Sequence, residues 1–373
     1  MRIAQIASIA ERVPAKKYGG SERIVYTLTE ELVKRGHDVT LFASGDSLTS
    51  AKLSSVVPYS LREMNIKNPY HLNDWILTHI TEAYAQADKF DIIHDHIYGI
   101  SMPAANISRT PVVSTVHSMF HEENIPLYKA AANVNLVTIS ESQKPKNEMG
   151  LNIAGTVYHG LNMSHYPFGA ESKGYLLFCG RMSMEKGVHF AIEAAQRLDL
   201  PLKIIARVAD YELDYFNTYV KPHLGDPRLE FIGEVGEDER NKLMAGAIAI
   251  LHPVTWPEPF GLTMIESMAC GTPVVAFNEG SIPEVVQDGK TGFVVRSVPE
   301  MVEAVKEIDT ISREYCRKYA LTRFTAAKMA EGYEKIYQKI LAEKTDTRTV
   351  AFPRFTVKQP QPVGDFLFSP DFS

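Results

Sequence analysis

Short runs of apolar residues alternate with helix-like segments along most of the chain. In the first half, the apolar runs predict six buried strands, at Ile3–Ile9, Val39–Ala43, Ile92–His94, Val112–Val116, Val134–Ile139 and Thr156–Tyr158. The segment Glu22–Arg35 carries its apolar residues at helical spacing and is followed by Gly36 as a stop signal. Strands that are apolar on both faces and separated by helices indicate a parallel sheet covered by helices.

The same alternation starts again in the second half. Its predicted strands are Tyr175–Cys179, Leu202–Ala206, Leu229–Ile232, Ala247–His252, Val274–Phe277 and Gly292–Val295. Between the two series lies Met163–Lys173, which contains a proline and a glycine, so we place the domain junction there. The sequence therefore predicts an α/β protein of two doubly wound domains, at 1–168 and 169–325, with a ligand site in the cleft between them.

Charge and cysteine content narrow the classes of function. Lys and Arg number 39 against 45 Asp and Glu, for a net charge of −6, so no dominant positive field favours nucleic acid as a partner. No apolar run approaches the roughly 18 residues of a membrane span. The three cysteines, Cys179, Cys270 and Cys316, are far apart and form no CxxC pair, which suits a reducing cytosol. We expect a cytoplasmic protein without a transmembrane segment.

Several motifs of nucleotide-binding and hydrolytic enzymes are missing. The sequence contains no GxG pair, no GxxxxGK[ST], no GxSxG and no HExxH. No two aspartates lie two residues apart, so an Asp-x-Asp pair that could hold a metal ion against a diphosphate is absent. A nucleoside diphosphate would have to be neutralised by lysine, arginine and backbone dipoles.

Residues 178–187, FCGRMSMEKG, join the end of a predicted strand to a helix. Arg181 and Lys186 lie five residues apart in this turn. Two cations beside a helix N-terminus are suited to binding a diphosphate. The alternative interpretation is a solvated turn with incidental charges.

Residues 256–266, WPEPFGLTMIE, place Glu258 and Glu266 eight residues apart. Two prolines hold the first glutamate in a loop, and a helix is predicted to start at Leu262, with its free amides at the end of the loop. One carboxylate could bind sugar hydroxyls, the amides a phosphate, and the other carboxylate a ribose diol. Alternatively, these are a capping glutamate and a surface glutamate.

With these motifs in order, the chain resembles the retaining glycosyltransferases of family 4, which have the GT-B fold of two Rossmann-like domains. In the second half the resemblance is carried by GRMSMEKG, EPFGLTMIE and SMACGTPVVAFNEGSIPEVVQDGKTGFVV. In the first half it is carried by YGGSERIVYTLTEELVKRGHDVTLFASG, DIIHDHIYG, PVVSTVHS, VTISES and VYHGLN. It covers roughly residues 1–340, and the order of so many motifs makes it specific.

The resemblance implies roles for individual positions. Arg181 and Lys186 match the diphosphate-binding pair, and Glu258 matches the glutamate that holds the sugar hydroxyls. His117 matches a histidine that contacts the donor sugar, so these four residues are the expected catalytic set. The expected donor-binding residues are Gly19, Gly20, Gly233, Val235, Phe260, Gly261, Leu262, Thr263 and Glu266. Of these, Glu266 is expected at the nucleotide ribose, and Gly233 and Val235 beside the base.

The implied reaction is transfer of a sugar from a nucleoside diphosphate sugar, with UDP-sugars favoured, to an acceptor hydroxyl. The resemblance implies a hexosyltransferase-type enzyme that retains the anomeric configuration and needs neither a divalent metal nor a cofactor. Its acceptor is a sugar, a lipid or a small molecule. An epimerase, hydrolase or sugar phosphorylase on the same fold remains an alternative, and a catalytically inactive sugar-nucleotide-binding module is a further one.

Residues 1–168 hold 15 Lys and Arg against 16 Asp and Glu. This balance gives no support for tight electrostatic docking on a membrane, so a soluble acceptor is favoured over a membrane lipid. A position at the inner face of the membrane stays an alternative to a purely cytoplasmic one.

Two features of the sequence lie outside these motifs. His94, His96, His117 and His121 are close enough in sequence to suggest a metal cluster, but no cysteine or second carboxylate is tied in by spacing, so hydrogen bonding in the cleft is favoured. Residues 345–373 interleave Phe with Pro and are expected to form either an irregular tail or a docking arm. The helix before them, at about 326–344, is expected to pack back on the first domain.

Overall fold

The computed structural model describes residues 1–17, 19–66, 68–145 and 150–343. Two parallel β-sheets follow one another along this part of the chain, and both are flanked by helices. The fold class predicted from the sequence is therefore confirmed. The Phe- and Pro-containing segment 345–373 lies outside the described residues.

The first sheet has seven strands and lies within residues 2–156. Its strands are β1 (Arg2–Ile6), β2 (Asp38–Phe42), β3 (Lys52–Ser54), β4 (Ile92–Asp95), β5 (Val112–Thr115), β6 (Asn135–Thr138) and β7 (Ile153–Thr156). The helices between them are α1 (Gly20–Lys34), α2 (Pro69–Ala85), α3 (Met102–Ile107) and α4 (Ile125–Ala130). All neighbouring strands pair in parallel, in the order β3-β2-β1-β4-β5-β6-β7.

The second sheet has six strands. These are β8 (Tyr175–Arg181), β9 (Leu202–Arg207), β10 (Leu229–Gly233), β11 (Ala247–His252), β12 (Val274–Phe277) and β13 (Gly292–Val295), in the order β10-β9-β8-β11-β12-β13. Its helices are α5 (Val188–Leu198), α6 (Leu213–Tyr215), α7 (Glu237–Gly246), α8 (Leu262–Ala269), α9 (Ile282–Val285), α10 (Val298–Lys306) and α11 (Arg313–Arg323). In both sheets the strand order reverses beside the first strand, where open α/β sheets bind ligands.

The last helix, α12 (Ala326–Ala342), returns to the first sheet. Tyr333 and Tyr337 are fully buried there and belong to the same apolar cluster as Ile3 and Ile92. At its solvent edge Glu334 accepts hydrogen bonds from the turn that follows α1, from Arg35 Nη1 at 2.9 Å and from His37 Nε2 at 2.8 Å. The two halves of the chain are thus joined both by the segment before β8 and by this helix.

Two edge strands differ from the sequence-based prediction. Strand β3 is not predicted, because its sequence KLS has no buried residue and so carries no apolar signal. Strand β7 lies at Ile153–Thr156 and not at Thr156–Tyr158, and all four of its residues are only half-buried. An edge strand contacts one neighbour only, so its position depends less on its own apolar pattern.

Candidate active site

A cavity of about 580 Å³ opens between the two sheets, at the carboxyl ends of their strands. Twelve of the thirteen residues predicted from the sequence line it: Gly19, Gly20, His117, Arg181, Lys186, Val235, Glu258, Phe260, Gly261, Leu262, Thr263 and Glu266. Gly233 does not; it ends β10 with φ +84°, and the next two residues, Glu234 and Val235, reach the cavity instead. The structure therefore brings segments from both halves of the sequence into one site.

Glu258 and Lys186 form an ion pair on the wall of the cavity that the second sheet provides. Lys186 Nζ contacts Glu258 Oε2 directly, and the two side chains are 14% and 9% exposed. Trp256 Nε1 donates to the same carboxylate oxygen at 3.2 Å, and His252 Nε2 is 3.9 Å from it. Burial raises the pKa of Glu258, but the charge of Lys186 and the hydrogen bonds from Lys186 and Trp256 outweigh burial and hold this pKa below its usual range. Glu258 is therefore a charged, oriented acceptor of hydrogen bonds.

The backbone of Glu258 is fixed by a neighbouring loop. Its carbonyl oxygen accepts a hydrogen bond from the Ser281 amide at 2.9 Å. The segment SMACGTPVVAFNEGSIPEVVQDGKTGFVV thus contributes to the site through the backbone, because its Ser281 supports the loop that carries the glutamate.

Arg181 is the last residue of β8 and points toward the turn that precedes α5. Its Nη2 donates to Glu185 Oε1 at 2.7 Å, and its Nη1 is 3.9 Å from Glu212 Oε1. Because Lys186 lies in the same turn, both predicted cations reach the cavity from one strand-to-helix connection. This wall can supply two positive charges to a bound diphosphate.

The N-terminus of α8 faces the same cavity. Gly261 is its N-cap, with φ +77°, and makes no side-chain cap hydrogen bond. The first amides of a helix have no partner within it, and together with the helix dipole they favour an anion. Phe260, Leu262 and Thr263 line the cavity at this point. A phosphate group placed here would meet backbone N–H groups as well as the two cations.

Glu266, one turn inside α8, is held by donors from both halves of the chain. Arg23 Nη1 of α1 contacts Glu266 Oε1, Arg240 Nη2 of α7 is 3.2 Å from the same oxygen, and Tyr166 donates to it at 3.2 Å. Burial raises the pKa of Glu266, but the two arginines outweigh this effect and hold the pKa below its usual range. None of the three bonds uses Oε2, so that oxygen can still accept from a ligand.

The first sheet supplies the opposite wall. Gly20 begins α1 so close to α8 that an added Cβ would lie 3.4 Å from Leu262 Cδ1. His117, two residues beyond β5, stacks on His159 with ring centroids 5.3 Å apart. His159 in turn packs edge-on against Phe260 at 4.9 Å. Burial lowers the pKa of His117 to about 4, so the ring is neutral at neutral pH.

The histidines of the first sheet are joined to one another and to neighbouring polar side chains. His96 Nδ1 is 3.0 Å from His117 Nε2, and His94 is bonded to Thr115 and Tyr337. Across residues 1–17, 19–66, 68–145 and 150–343, no three His, Cys, Asp or Glu side chains are grouped so that they could hold a metal ion. His121 is exposed and does not line the cavity.

Two family models match the chain. One, described as Glycosyltransferase Family 4, matches residues 18–143, and the other, described as Glycosyl transferases group 1, matches residues 167–323. A putative glycosyltransferase of Bacillus subtilis, YtcC, is 25% identical over 92% of this chain and 93% of its own length. This chain is a family 4 glycosyltransferase.

Solved structures confirm the GT-B fold of this glycosyltransferase. Sucrose-phosphate synthase from Thermosynechococcus elongatus superposes with a TM-score of 0.76 at 19% identity, covering 91% of this chain and 99% of that chain. HepE of Anabaena, in complex with UDP and glucose, superposes with a TM-score of 0.70 at 17% identity and covers 91% of this chain and all of its own.

Sequence reasoning missed several residues of the glycosyltransferase cavity. Arg23 and Arg240 are charged residues on helices, and that pattern is typical of a solvated surface. Only the folded structure shows that both turn inward to Glu266. His159 lies within the family motif VYHGLN, so a signal for it was present, whereas His252 and Trp256 are recognisable only from their contacts with Glu258.

Proposed function

We propose that this glycosyltransferase transfers a sugar from a UDP-sugar to an acceptor hydroxyl, with retention of configuration and without a divalent metal ion. The observation that carries the proposal is the content of one cavity. Arg181 and Lys186, the N-terminus of α8, and the charged carboxylates Glu258 and Glu266 are all among the groups that line this cavity of about 580 Å³. Those groups match three parts of a nucleoside diphosphate sugar: the diphosphate, the hydroxyls of the sugar and the diol of the ribose.

The leaving group accounts for the positive wall. When the bond between the anomeric carbon and the β-phosphate oxygen breaks, negative charge builds on the phosphate. Arg181, Lys186 and the amides at the start of α8 are suited to stabilising that charge as it develops. Lys186 is already oriented by Glu258, so little reorganisation is needed. The positive charge that a metal ion provides in other enzymes would come here from side chains and a helix dipole.

Retention follows from the proposed path of the proton. The acceptor oxygen forms its bond to the anomeric carbon on the face that the phosphate leaves, and its proton passes to the departing phosphate oxygen. Glu258 is paired with Lys186, which suits it to orienting the sugar through its hydroxyls. The sugar is oxocarbenium-like while the bond to the acceptor oxygen forms and the bond to the phosphate oxygen breaks. UDP is then released with the transferred proton.

UDP is favoured as the nucleotide because HepE, which shares the fold, was solved with UDP and glucose. A cytoplasmic location is proposed from the cysteines, all three of which are free thiols. Burial raises the pKa of Cys179 to about 11 and that of Cys270 to about 12, which keeps both thiols protonated. In the part of the chain that the structure describes, no helix combines the length and the apolar character needed to cross a bilayer.

Product analysis tests the proposal. UDP-, GDP- and ADP-sugars are each incubated with the protein and EDTA, alone, with phosphate, or with a pool of hydroxyl acceptors. We expect a glycoside to form from a UDP-sugar with an acceptor, with the donor's anomeric configuration in its proton NMR spectrum. A product of inverted configuration, a sugar phosphate, or turnover only after a divalent metal is added would contradict the proposal.

A further inference from the structure

A series of hydrogen bonds runs from the last helix into the first sheet. Tyr337 Oη of α12 is 2.6 Å from His94 Nδ1, and His94 Nε2 is 2.7 Å from Thr115 Oγ1. The side-chain amide nitrogen of Gln5 approaches the same His94 Nδ1 at 3.4 Å. The amide nitrogen of Gln5 only donates, so His94 Nδ1 is the unprotonated ring nitrogen and also accepts from the Tyr337 hydroxyl.

The series continues from Gln5 to the cavity. Gln5 Oε1 is 2.8 Å from His96 Nε2, and His96 Nδ1 is 3.0 Å from His117 Nε2. Gln5 and His96 are buried behind the cavity and do not line it, whereas His117 does. His117 is thus the point at which a buried polar network reaches the site.

All three rings of this network are neutral. Burial lowers the pKa of His94 and of His96 well below the usual range, and it lowers that of His117 to about 4. A neutral imidazole has one N–H group and one lone pair, and the partner of one nitrogen decides which role the other takes. The direction of each bond can therefore be followed along the series.

The direction is set by Gln5. Its Oε1 only accepts, so His96 Nε2 carries the proton and donates to it. His96 Nδ1 then has the lone pair and accepts from the Nε2–H group of His117. The remaining nitrogen of His117, Nδ1, is left with a lone pair.

We propose that Gln5 and His96 are positioning residues that fix His117 as the Nε2–H tautomer, so that Nδ1 accepts a hydrogen bond from a hydroxyl of the donor sugar. The inference rests on the proposed function and deepens it. Ring orientation and tautomer are set before the ligand arrives, as outer-shell partners do for the ligands of metal sites. The sugar is then recognised by an acceptor that cannot rotate away or change role.

The test measures dissociation constants of the full chain for UDP and for UDP-glucose by calorimetry. His96→Gln places an amide near the former Nε2 and removes the acceptor for His117, whereas His96→Asn places a carbonyl oxygen near the former Nδ1. We expect His96→Gln to weaken the binding of UDP-glucose about fivefold, which corresponds to one net hydrogen bond, and to leave the affinity for UDP unchanged within about twofold. His96→Asn should recover most of the affinity for UDP-glucose.

A double-mutant cycle separates positioning from a general structural effect. His117→Ala should weaken the binding of UDP-glucose to a similar extent. Adding His96→Gln to His117→Ala should cause no further loss of this affinity. Parallel losses of UDP and UDP-glucose affinity, additive losses in the double variant, or no recovery in His96→Asn would each overturn the inference. Failure of the unsubstituted chain to bind UDP would overturn the proposed function and, with it, this inference.

Donor analogues test the direction of the last hydrogen bond. A deoxyfluoro sugar can accept a hydrogen bond weakly but cannot donate one. At the hydroxyl that His117 contacts, the deoxy and deoxyfluoro forms of UDP-glucose should therefore bind equally weakly to the unsubstituted chain. A deoxyfluoro analogue that binds clearly better than the deoxy analogue, with the difference lost in His117→Ala, would show that His117 donates and would overturn the assigned tautomer.

Discussion

At the scale of single residues, two lysines have nearly the same surroundings and differ in where they lie. Lys186 contacts Glu258 and stands 5.1 Å from the centroid of the Trp256 ring. Lys203 contacts Glu230 at 2.6 Å and stands 5.1 Å from the centroid of the Tyr175 ring. Only Lys186 lines the cavity. Lys203 is therefore a matched control for the loss of a paired lysine.

We predict that Lys186→Met lowers the rate of sugar transfer about a hundredfold, because one preorganised charged contact to the leaving group is lost. Lys203→Met should leave the rate within about twofold. The measurement is the initial rate of UDP release at saturating donor. A rate for Lys186→Met close to that of Lys203→Met would show that Lys186 does not stabilise the leaving group.

The residue scale also shows where the sequence stops being informative. Glu258, Arg181 and Lys186 could be predicted at the cavity because their motifs place them at strand-to-helix connections, and Glu266 because its motif places it one turn inside the helix that follows. The partners of Glu266 could not, since Arg23 lies 243 positions away in sequence and reaches the carboxylate only after the two halves fold together. Local patterns describe which segments form a site, whereas side-chain pairing across a cleft depends on tertiary structure.

At the scale of elements, the site depends on how α8 begins. Gly261 has φ +77°, and a Cβ added there would lie 2.5 Å from Met264 Cε and 3.4 Å from Glu258 Cγ. Gly289 has a similar φ of +69°, but nothing lies within 4 Å of its added Cβ, and it does not line the cavity. The two glycines share the backbone requirement and differ in crowding and position.

We predict that Gly289→Ala costs about 1 kcal/mol of folding stability, the penalty for a left-handed alanine, and leaves UDP affinity unchanged. Gly261→Ala should cost more folding stability, because Met264 must move. It should also weaken the binding of UDP about tenfold or more, because it displaces the amides of α8. Chemical denaturation measures the change in stability, and calorimetry measures the change in UDP affinity. Unchanged UDP affinity in Gly261→Ala would exclude the start of α8 from the phosphate site.

Most elements could be predicted from the sequence because the central strands are buried on both faces. Val274–Phe277, for example, is buried at every position and was predicted with its observed bounds. The edge strands β3 and β7 lack this burial and were missed or displaced. The helix predicted at Glu22–Arg35 begins two residues earlier, at Gly20, since the glycine pair gives no apolar signal.

At the scale of the whole molecule, buried neutral histidines link stability to pH. Burial lowers the pKa of His79, His117 and His252 to about 4, and it also holds the pKa of His94 and of His96 well below the usual range. In the unfolded chain a histidine titrates near 6.5. Between these two values the unfolded state binds protons that the folded state does not bind, so stability falls as the pH falls.

We predict that the free energy of unfolding is highest above about pH 6.5 and is lost steeply as the pH falls toward 4. His79 alone, whose Nε2 donates to the Ala7 carbonyl, should account for about 3 kcal/mol of that loss. Urea denaturation at a series of pH values measures the free energy of unfolding. In His79→Gln, whose amide can still donate to Ala7, this free energy should fall less steeply with falling pH. A flat profile, or an unchanged slope in His79→Gln, would contradict this account.

The proposed donor site lies in the cavity between the two halves of the molecule. Arg181, Lys186 and the N-terminus of α8 supply positive charge from the second half, and Glu266, the proposed partner of the ribose, is held by arginines from both halves. We propose that these groups bind the diphosphate without a divalent ion to bridge the phosphates.

Titration of UDP into the full chain by calorimetry, once in EDTA and once in excess magnesium, tests this claim most directly. We expect one UDP bound per chain, and the two dissociation constants should agree within about threefold. Binding that is absent in EDTA and appears only when magnesium is added would contradict it.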